Sequence, residues 1–328
     1  MAPSPLDDYR LERRLGAGRL GEAWLARGPD GRQPYLVRRL PAFLTEDRAA
    51  AERFLEETQA LRQLRHPNLA RLADAGWSDG QLLVVTEFVE GIPLADCLRA
   101  DRGPLPPALA AELVAQAGEG LSYGHTALAG DGKPLGRVHG ELCPENLVFD
   151  DAGLVRILDF GLNRASSILT ALRVDPGRTA FRYLAPEQLR EDAVSPRSDV
   201  YSLGAILFSL TTGQRPCAAV TDSVELVCRL CQEGIAASET MPGVPGPVRE
   251  VICRATALDP GKRFESMAEL IACLDGWLKS VAPPKPEELK QTVRYWAWTG
   301  RGEDPRPRGT SVIVSPELLS PQPKTASS

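Results

Sequence analysis

The chain has 328 residues, of which 43% are hydrophobic and 25% are charged, an ordinary balance for a protein that buries a core. This length predicts one large or two small globular units followed by a tail. The net charge of -5 gives no electrostatic drive toward nucleic acid or an anionic membrane. No apolar run approaches the ~20 residues that span a bilayer, and the first residues lack the apolar core of a signal peptide. We therefore expect a cytoplasmic protein with no membrane span.

The seven cysteines do not form the spaced framework of a small secreted domain. Cys228 and Cys231, with Cys253 and Cys273 downstream, could suggest a zinc site. All four lie in helical-looking apolar sequence without a nearby histidine, and cysteine is often simply buried. We favour core positions over a metal site.

The first part of the chain alternates short β-type runs with glycine turns over residues 9–40. A helical pattern follows at 45–65, where large apolar residues recur on one face of a 3.6-residue period. Residues 82–89 form a largely apolar strand. Beyond that strand helices dominate, including 108–127 and 199–212. The sequence therefore predicts a small β-rich unit before a larger helical one.

Residues 280–328 are rich in Pro, Ser and Thr, which predicts a disordered tail. Its aromatic residues include Trp296 and Trp298. They could dock on the preceding domain or on another protein, and the pattern does not choose between the two.

Three short motifs in the second half of the chain carry the functional information. Residues 139–146 read H-G-E-L-C-P-E-N, residues 159–161 read D-F-G, and residues 185–187 read A-P-E. Their order and spacing resemble the protein kinase family, whose catalytic loop reads H-R-D-L-K-P-x-N before D-F-G. The sequence around 196–204 resembles bacterial Ser/Thr kinases more than tyrosine kinases.

The resemblance covers about residues 9–279 and implies an α+β, two-lobe kinase fold. It places a small β-rich lobe at 9–90 and a larger helical lobe at 91–279, after a flexible N-terminus at 1–8. It also implies ATP and Mg²⁺ as cofactors and a protein as substrate or partner.

Residues 16–21 read G-A-G-R-L-G between two strand-like runs. Alone this pattern is weak, because dinucleotide-binding folds use the same spacing and a tight hairpin needs no ligand. Residues 22–26 look like a strand rather than the helix of a dinucleotide fold. The arrangement resembles the kinase loop that covers the ATP phosphates. The resemblance implies a nucleotide site lined by Leu15, Gly16, Gly18, Gly21, Ala23, Leu36, Arg38, Glu57, Thr86, Glu87, Val89 and Val148.

Arg38 ends the segment 35–38, Y-L-V-R, where the family has V-A-I-K. The resemblance therefore puts Arg38 at the phosphate-binding lysine. Glu57 matches the helix glutamate that pairs with this lysine, and Arg38 could still pair with Glu57 through its larger planar fork. The first 132 residues contain no lysine, so no other lysine of the small lobe can take this role.

The residues that would transfer phosphate have changed together. Glu141 stands at the aspartate that accepts the hydroxyl proton, one methylene further out, and a misplacement of ~1 Å can cost about 10²-fold in rate. Cys143 replaces the lysine that steadies the transferred phosphate, so a preorganised positive charge is lost. Ala180 replaces the threonine that bridges this aspartate and lysine. Gly140 replaces an arginine that reads phosphorylation of the activation loop, which says little about catalysis.

Other positions keep the family residue. Asn146 and Asp159 match the two magnesium ligands. The resemblance also implies a buried ion pair between Glu187 and Arg263, and an anchor for the catalytic loop at Asp199.

Two functions remain open. The first is a pseudokinase that binds ATP weakly or not at all and acts as a signalling regulator or scaffold through protein contacts. The second is a slow Ser/Thr kinase that uses Glu141 as base, with Asn146 and Asp159 holding Mg²⁺. Loss of the positive charge at Cys143 and displacement of the base favour the pseudokinase.

Overall fold

The β-type runs of the small lobe form one antiparallel five-stranded sheet. The computed structural model describes residues 5–18, 20–41, 47–98, 103–130, 132–162, 179–190, 192–235 and 240–297. The strands of the sheet are β1 (Arg10–Gly18), β2 (Gly21–Arg27), β3 (Pro34–Arg39), β4 (Leu72–Ser78) and β5 (Gln81–Glu87). They lie in the order β1-β2-β3-β5-β4. In the β1–β2 turn, Gly21 has a φ of 88° and a Cβ there would lie 1.9 Å from the carbonyl oxygen of Arg39, so only glycine fits.

The helix predicted at 45–65 is α1 (Arg48–Leu61). It begins where Asp47 accepts a hydrogen bond from the backbone N–H of Ala50 at 3.0 Å, an N-cap contact. Phe54 is buried on the face that packs toward the sheet, and α1 contacts β4. This packing turns Glu57 toward the large lobe.

The large lobe is helical around a short three-stranded sheet, and the predicted α+β two-lobe fold is confirmed. Its helices are α2 (Pro107–Thr126), α3 (Pro186–Leu189), α4 (Pro196–Thr212), α5 (Ser223–Gln232), α6 (Gly246–Ala255) and α7 (Met267–Val281). The sheet contains β6 (Gly91–Pro93), β7 (Leu147–Asp150) and β8 (Val155–Ile157), in that order. Nearly every residue of α4 is buried, which makes this helix the centre of the lobe.

The prediction of a disordered tail is wrong for α8 (Pro286–Ala297), which packs on the large lobe. Leu289, Val293 and Ala297 recur every four residues and are buried together. They cover Cys97, and the Trp296 indole donates to the carbonyl oxygen of Gly103 at 3.2 Å. Trp296 therefore docks on its own domain, whereas Trp298 and the rest of the tail lie outside the described residues.

The four cysteines considered as zinc ligands lie on three helices, α5, α6 and α7. Cys228 and Cys273 are exposed, so the prediction that they belong to the core is wrong for these two. Cys231 and Cys253 are half-buried, and Cys253 packs against the main core. Each occupies a helix face turned partly to solvent. Within the described ranges, no group of three or more His, Cys, Asp or Glu side chains could hold a metal ion. In the same part of the chain, no helix combines the length and apolar character needed to cross a membrane.

Candidate functional site

The predicted catalytic loop is held by one buried carboxylate. Asp199, in the first turn of α4, accepts hydrogen bonds from the backbone N–H groups of His139 at 2.7 Å and Gly140 at 2.9 Å. Its Oδ2 also lies 2.8 Å from Nε2 of His125. Burial raises the pKa of Asp199, but the bonds from His125 and the backbone outweigh it, so the pKa lies below its ordinary value. The predicted anchor role of Asp199 is confirmed.

Gly140 has a φ of 75°, in the left-handed region that glycine adopts without strain. The glycine that replaces the family's arginine therefore relaxes the backbone at the point where Asp199 holds it. In sequence terms, Gly140 indicates only a lost charge.

Asn146 and Asp159 lie on adjacent segments, because the backbone N–H of Leu158 donates to the carbonyl oxygen of Asn146 at 2.9 Å. The Asn146 side-chain amide donates to the carbonyl oxygen of Glu141 at 3.1 Å, which fixes the loop and leaves Oδ1 as the atom a ligand would use. Asp159 is in the left-handed region with a φ of 58°. The following Phe160 is buried with its ring edge-on to that of His139, 6.4 Å between centroids.

The expected pair between Arg38 and Glu57 is not formed. Nη2 of Arg38 lies 2.7 Å from Oδ2 of Asp159, and both side chains are only 10% exposed. Glu57 instead binds Nη1 of Arg137, which lies on the segment before the catalytic loop. The pairing that the sequence left possible does not form, because a second guanidinium, 80 residues away in sequence, binds Glu57. The only sequence signal was the charge of Arg137 two residues before His139.

Cys143 is 1% exposed and belongs to the same apolar cluster as Ala180. Burial, followed by the nearby Glu145 and Glu141 carboxylates, raises the pKa of the Cys143 thiol well above its ordinary value. The side chain is therefore neutral and cannot replace the family's lysine as a source of positive charge. Glu141 is half-buried beside it.

The predicted base-binding residues form two apolar clusters on either side of the segment that joins the lobes. Leu15, Ala23 and Leu36 pack with Phe88 in the small lobe. Val89 and Val148 pack with Leu158 in a second cluster. Within each cluster the residues are in contact, and their role in binding a base stays a prediction.

The remaining predicted nucleotide-site residues flank these clusters. Thr86 is buried and pairs with Leu36 across the strands. The Glu87 carboxylate binds Nη2 of Arg156 at 2.8 Å, so it ties β5 to β8 of the large lobe. Gly16 and Gly18 lie in the β1–β2 hairpin, opposite Ala23 and Gly21 respectively.

A second buried ion pair stabilises the large lobe as expected. Both guanidinium arms of Arg263 bind the Glu187 carboxylate, at 2.7 and 2.8 Å, and the Ser198 hydroxyl donates to the same carboxylate at 2.7 Å. Burial raises the pKa of Glu187, but these bonds outweigh it and hold the pKa below its ordinary value.

Comparison with known proteins decides the family of this fold and site. The family profile described as "Protein kinase domain" matches residues 9–272. The chain belongs to the protein kinase family. This kinase chain is similar to the serine/threonine-protein kinase PknB of Mycobacterium leprae, with 32% identity over 297 residues, 89% of this chain and 46% of that protein. It is also 30% identical to PrkC of Bacillus subtilis over 264 residues, 80% of this chain and 39% of that protein.

The kinase chain thus spans less than half the length of these relatives. Another relative, MasK of Myxococcus xanthus, is named a tyrosine-protein kinase and is 30% identical over 282 residues, 84% of this chain and 43% of that protein. A solved double-mutant form of the PknI kinase domain of Mycobacterium tuberculosis aligns with a TM-score of 0.59 and 25% identity. That alignment covers 82% of this chain and 95% of the other.

Protein kinases hold Mg²⁺ between the D-F-G aspartate and the catalytic-loop asparagine. In this kinase domain Asn146 is oriented as such a ligand, but Oδ2 of Asp159 already carries the Arg38 guanidinium. A magnesium ion at Asp159 would meet that buried positive charge, which lies 2.7 Å from the carboxylate oxygen. The arrangement therefore does not fit magnesium, and the assignment of Asn146 and Asp159 as metal ligands stays a prediction.

Proposed function

We propose that this kinase domain is a pseudokinase that acts as a signalling regulator or scaffold through contacts with a protein partner. The observation that carries the proposal is Cys143, neutral and buried in the apolar cluster with Ala180. Catalysis of phosphoryl transfer is almost entirely positioning and electrostatic stabilisation, and a single preorganised donor in an acyl-transfer site contributes about 2.7–4 kcal/mol. No rearrangement of a buried thiol replaces that charge.

A second observation supports the same proposal. Arg38 and Arg137, two cations near the site, are bound to the carboxylates of Asp159 and Glu57. Each is held by a partner from another part of the chain. The two ion pairs join β3 and α1 of the small lobe to the large lobe.

The alternative is a weakly active Ser/Thr kinase. It is favoured by the bond from Asn146 to the backbone of Glu141, which keeps the catalytic loop in register, and by the retained carboxylate of Glu141. The similar bacterial proteins are named kinases, but at about 30% identity their names do not transfer activity to this chain.

The proposal includes a cytoplasmic location. All seven cysteines are unpaired, which suits a reducing compartment. Fractionation of cells that express the protein would test this, and recovery outside the cytoplasm would contradict it. The partner is proposed to be a protein rather than a nucleic acid because the net charge is -5.

The activity experiment incubates the purified chain with radiolabelled ATP and Mg²⁺, with and without a generic protein substrate. We expect no transfer above an Asp159→Ala control. A gain-of-function arm combines Arg38→Lys, Glu141→Asp, Cys143→Lys and Ala180→Thr, and transfer by this variant would identify the four exchanges as the cause of inactivity.

A further inference from the structure

The ion pair between Arg38 and Asp159 uses only part of the guanidinium. Nη2 lies 2.7 Å from Oδ2 of Asp159, while Nη1 is buried and has no hydrogen-bond partner among the described residues. Guanidinium groups bind carboxylates best through both arms, as Arg263 does with Glu187 in this protein. Arg38 is therefore a buried cation with a strong donor left unsatisfied.

The other carboxylate that the family would offer to this cation is already bound. Glu57 is held by Arg137, so Asp159 is the one acidic partner of Arg38 among the described residues. An incoming anion that bound Arg38 would satisfy Nη1 and compete with Asp159 for the guanidinium. The same site is poor for a metal, because Mg²⁺ dehydrates reluctantly and the buried guanidinium of Arg38, 2.7 Å from Oδ2 of Asp159, repels a second cation.

The surroundings indicate the class of anion. Leu36 and Arg38 are two residues apart on β3, so their side chains lie on the same face of the sheet. Ala23 pairs with Arg38 on the neighbouring strand and packs with Leu36. A ligand that placed a flat apolar ring against this cluster and a phosphate on Arg38 would be a nucleotide.

We propose that Arg38 is the cation of a metal-independent phosphate site, which binds a nucleoside di- or triphosphate without Mg²⁺. The inference rests on the proposed function, a kinase domain without phosphotransfer, and names a ligand class for its cleft. Arginine is always protonated and matches phosphate geometry through its planar fork, so the site is charged throughout the physiological pH range. Asp159 is its internal counter-ion rather than a metal ligand.

The experiment measures ATP and ADP affinity by isothermal titration calorimetry of the full chain, once in EDTA and once in Mg²⁺. We expect binding in EDTA at least as tight as in Mg²⁺, and no heat from MgCl₂ alone. The decisive variant is Asp159→Asn. If Asp159 competes with phosphate for Arg38, this variant binds ATP in EDTA about tenfold more tightly; if Asp159 is a metal ligand, it loses Mg²⁺-dependent binding instead.

Two further variants complete the design. Arg38→Met removes the cation and should abolish binding in EDTA. Arg38→Lys keeps the charge without the planar fork and should bind ATP in EDTA less tightly than the wild type, which provides a test if the Met variant does not fold. The matched control is Asp150→Asn. Asp150 is also a largely buried carboxylate near an arginine, with Oδ2 3.6 Å from Nη1 of Arg156. This variant should leave the affinities for ATP and ADP unchanged.

Binding that requires Mg²⁺ and is lost in Asp159→Asn would overturn the inference. Absence of ATP and ADP binding in both buffers would also overturn it, while leaving the proposed lack of phosphotransfer intact. Transfer of phosphate in the activity experiment would instead overturn the proposed function, whatever the calorimetry shows.

Discussion

Glu57 binds Arg137 rather than Arg38, and this choice of partner can be tested by substitution. Arg137→Met removes the guanidinium that binds Glu57 and keeps much of its apolar length. Breaking a buried pair costs about 3–5 kcal/mol and breaking an exposed one about 0–1 kcal/mol. The two side chains are 14% and 29% exposed, so Glu57 regains some water when Arg137 is removed. Nε of Arg137 also has no partner among the described residues, which lowers the value of the pair. We expect a loss of about 1–2 kcal/mol in the free energy of unfolding.

A double-mutant cycle isolates the pair from other effects of each substitution. Urea unfolding of the wild type, Arg137→Met, Glu57→Gln and the double variant should give a coupling energy of about 1 kcal/mol. The parallel cycle of Arg38→Met with Glu57→Gln should give a coupling below about 0.5 kcal/mol, because these side chains do not pair. A larger coupling for Arg38 than for Arg137 would refute the observed partners and restore the family's usual pair.

Three further perturbations test other parts of the structure. Glu187→Gln should cost about 3–5 kcal/mol, because it leaves Arg263 buried without its counter-charge. The pKa of Glu187 is lowered in the folded state, so the stability that it contributes is present above the unfolded pKa and is lost as pH falls through the folded pKa. Thermal unfolding of the wild type at a series of pH values should show this loss. An equal dependence of stability on pH in Glu187→Gln would contradict it. Removal of residues 286–328 should lower the free energy of unfolding by about 1–3 kcal/mol. It should also make Cys97 reactive to a thiol reagent, because in the full chain burial raises the pKa of the Cys97 thiol to about 12. An unreactive Cys97 after truncation would show that α8 does not cover it. Gly140→Ala should lower the free energy of unfolding by roughly 1 kcal/mol. The cost comes from the positive φ alone, since a Cβ at this position meets nothing closer than 3.9 Å. An unchanged free energy in urea unfolding would contradict the left-handed backbone.

The sequence was sufficient for the fold and for the backbone of the site. The spacing of the motifs from His139 to Glu187 placed the catalytic loop and its anchor, because these residues interact through fixed main-chain positions. Asp199 bonds to backbone N–H groups, and any residue at Gly140 would present the same donor.

Side-chain partners were harder to predict, because they depend on which charges meet in space. Arg38 and Glu57 were expected to pair by analogy with lysine, but Arg137 reaches Glu57 from the other lobe and Arg38 turns to Asp159. Local spacing carries no information about a competitor 80 residues away.

The helix α8 was missed for a different reason. Its surroundings are rich in proline, serine and threonine, and this composition outweighed the short four-residue periodicity of Leu289, Val293 and Ala297. The burial of those residues depends on the surface around Cys97, which belongs to another part of the chain. Docking of a short helix cannot be predicted from its own composition.

The most direct test of the account is phosphate transfer from radiolabelled ATP with Mg²⁺ by the wild-type chain, measured beside Asp159→Ala. With Cys143 neutral and buried and Arg38 bound to Asp159, we expect the two proteins to give the same background. Transfer by the wild type that Asp159→Ala abolishes would contradict the pseudokinase account and establish a working kinase.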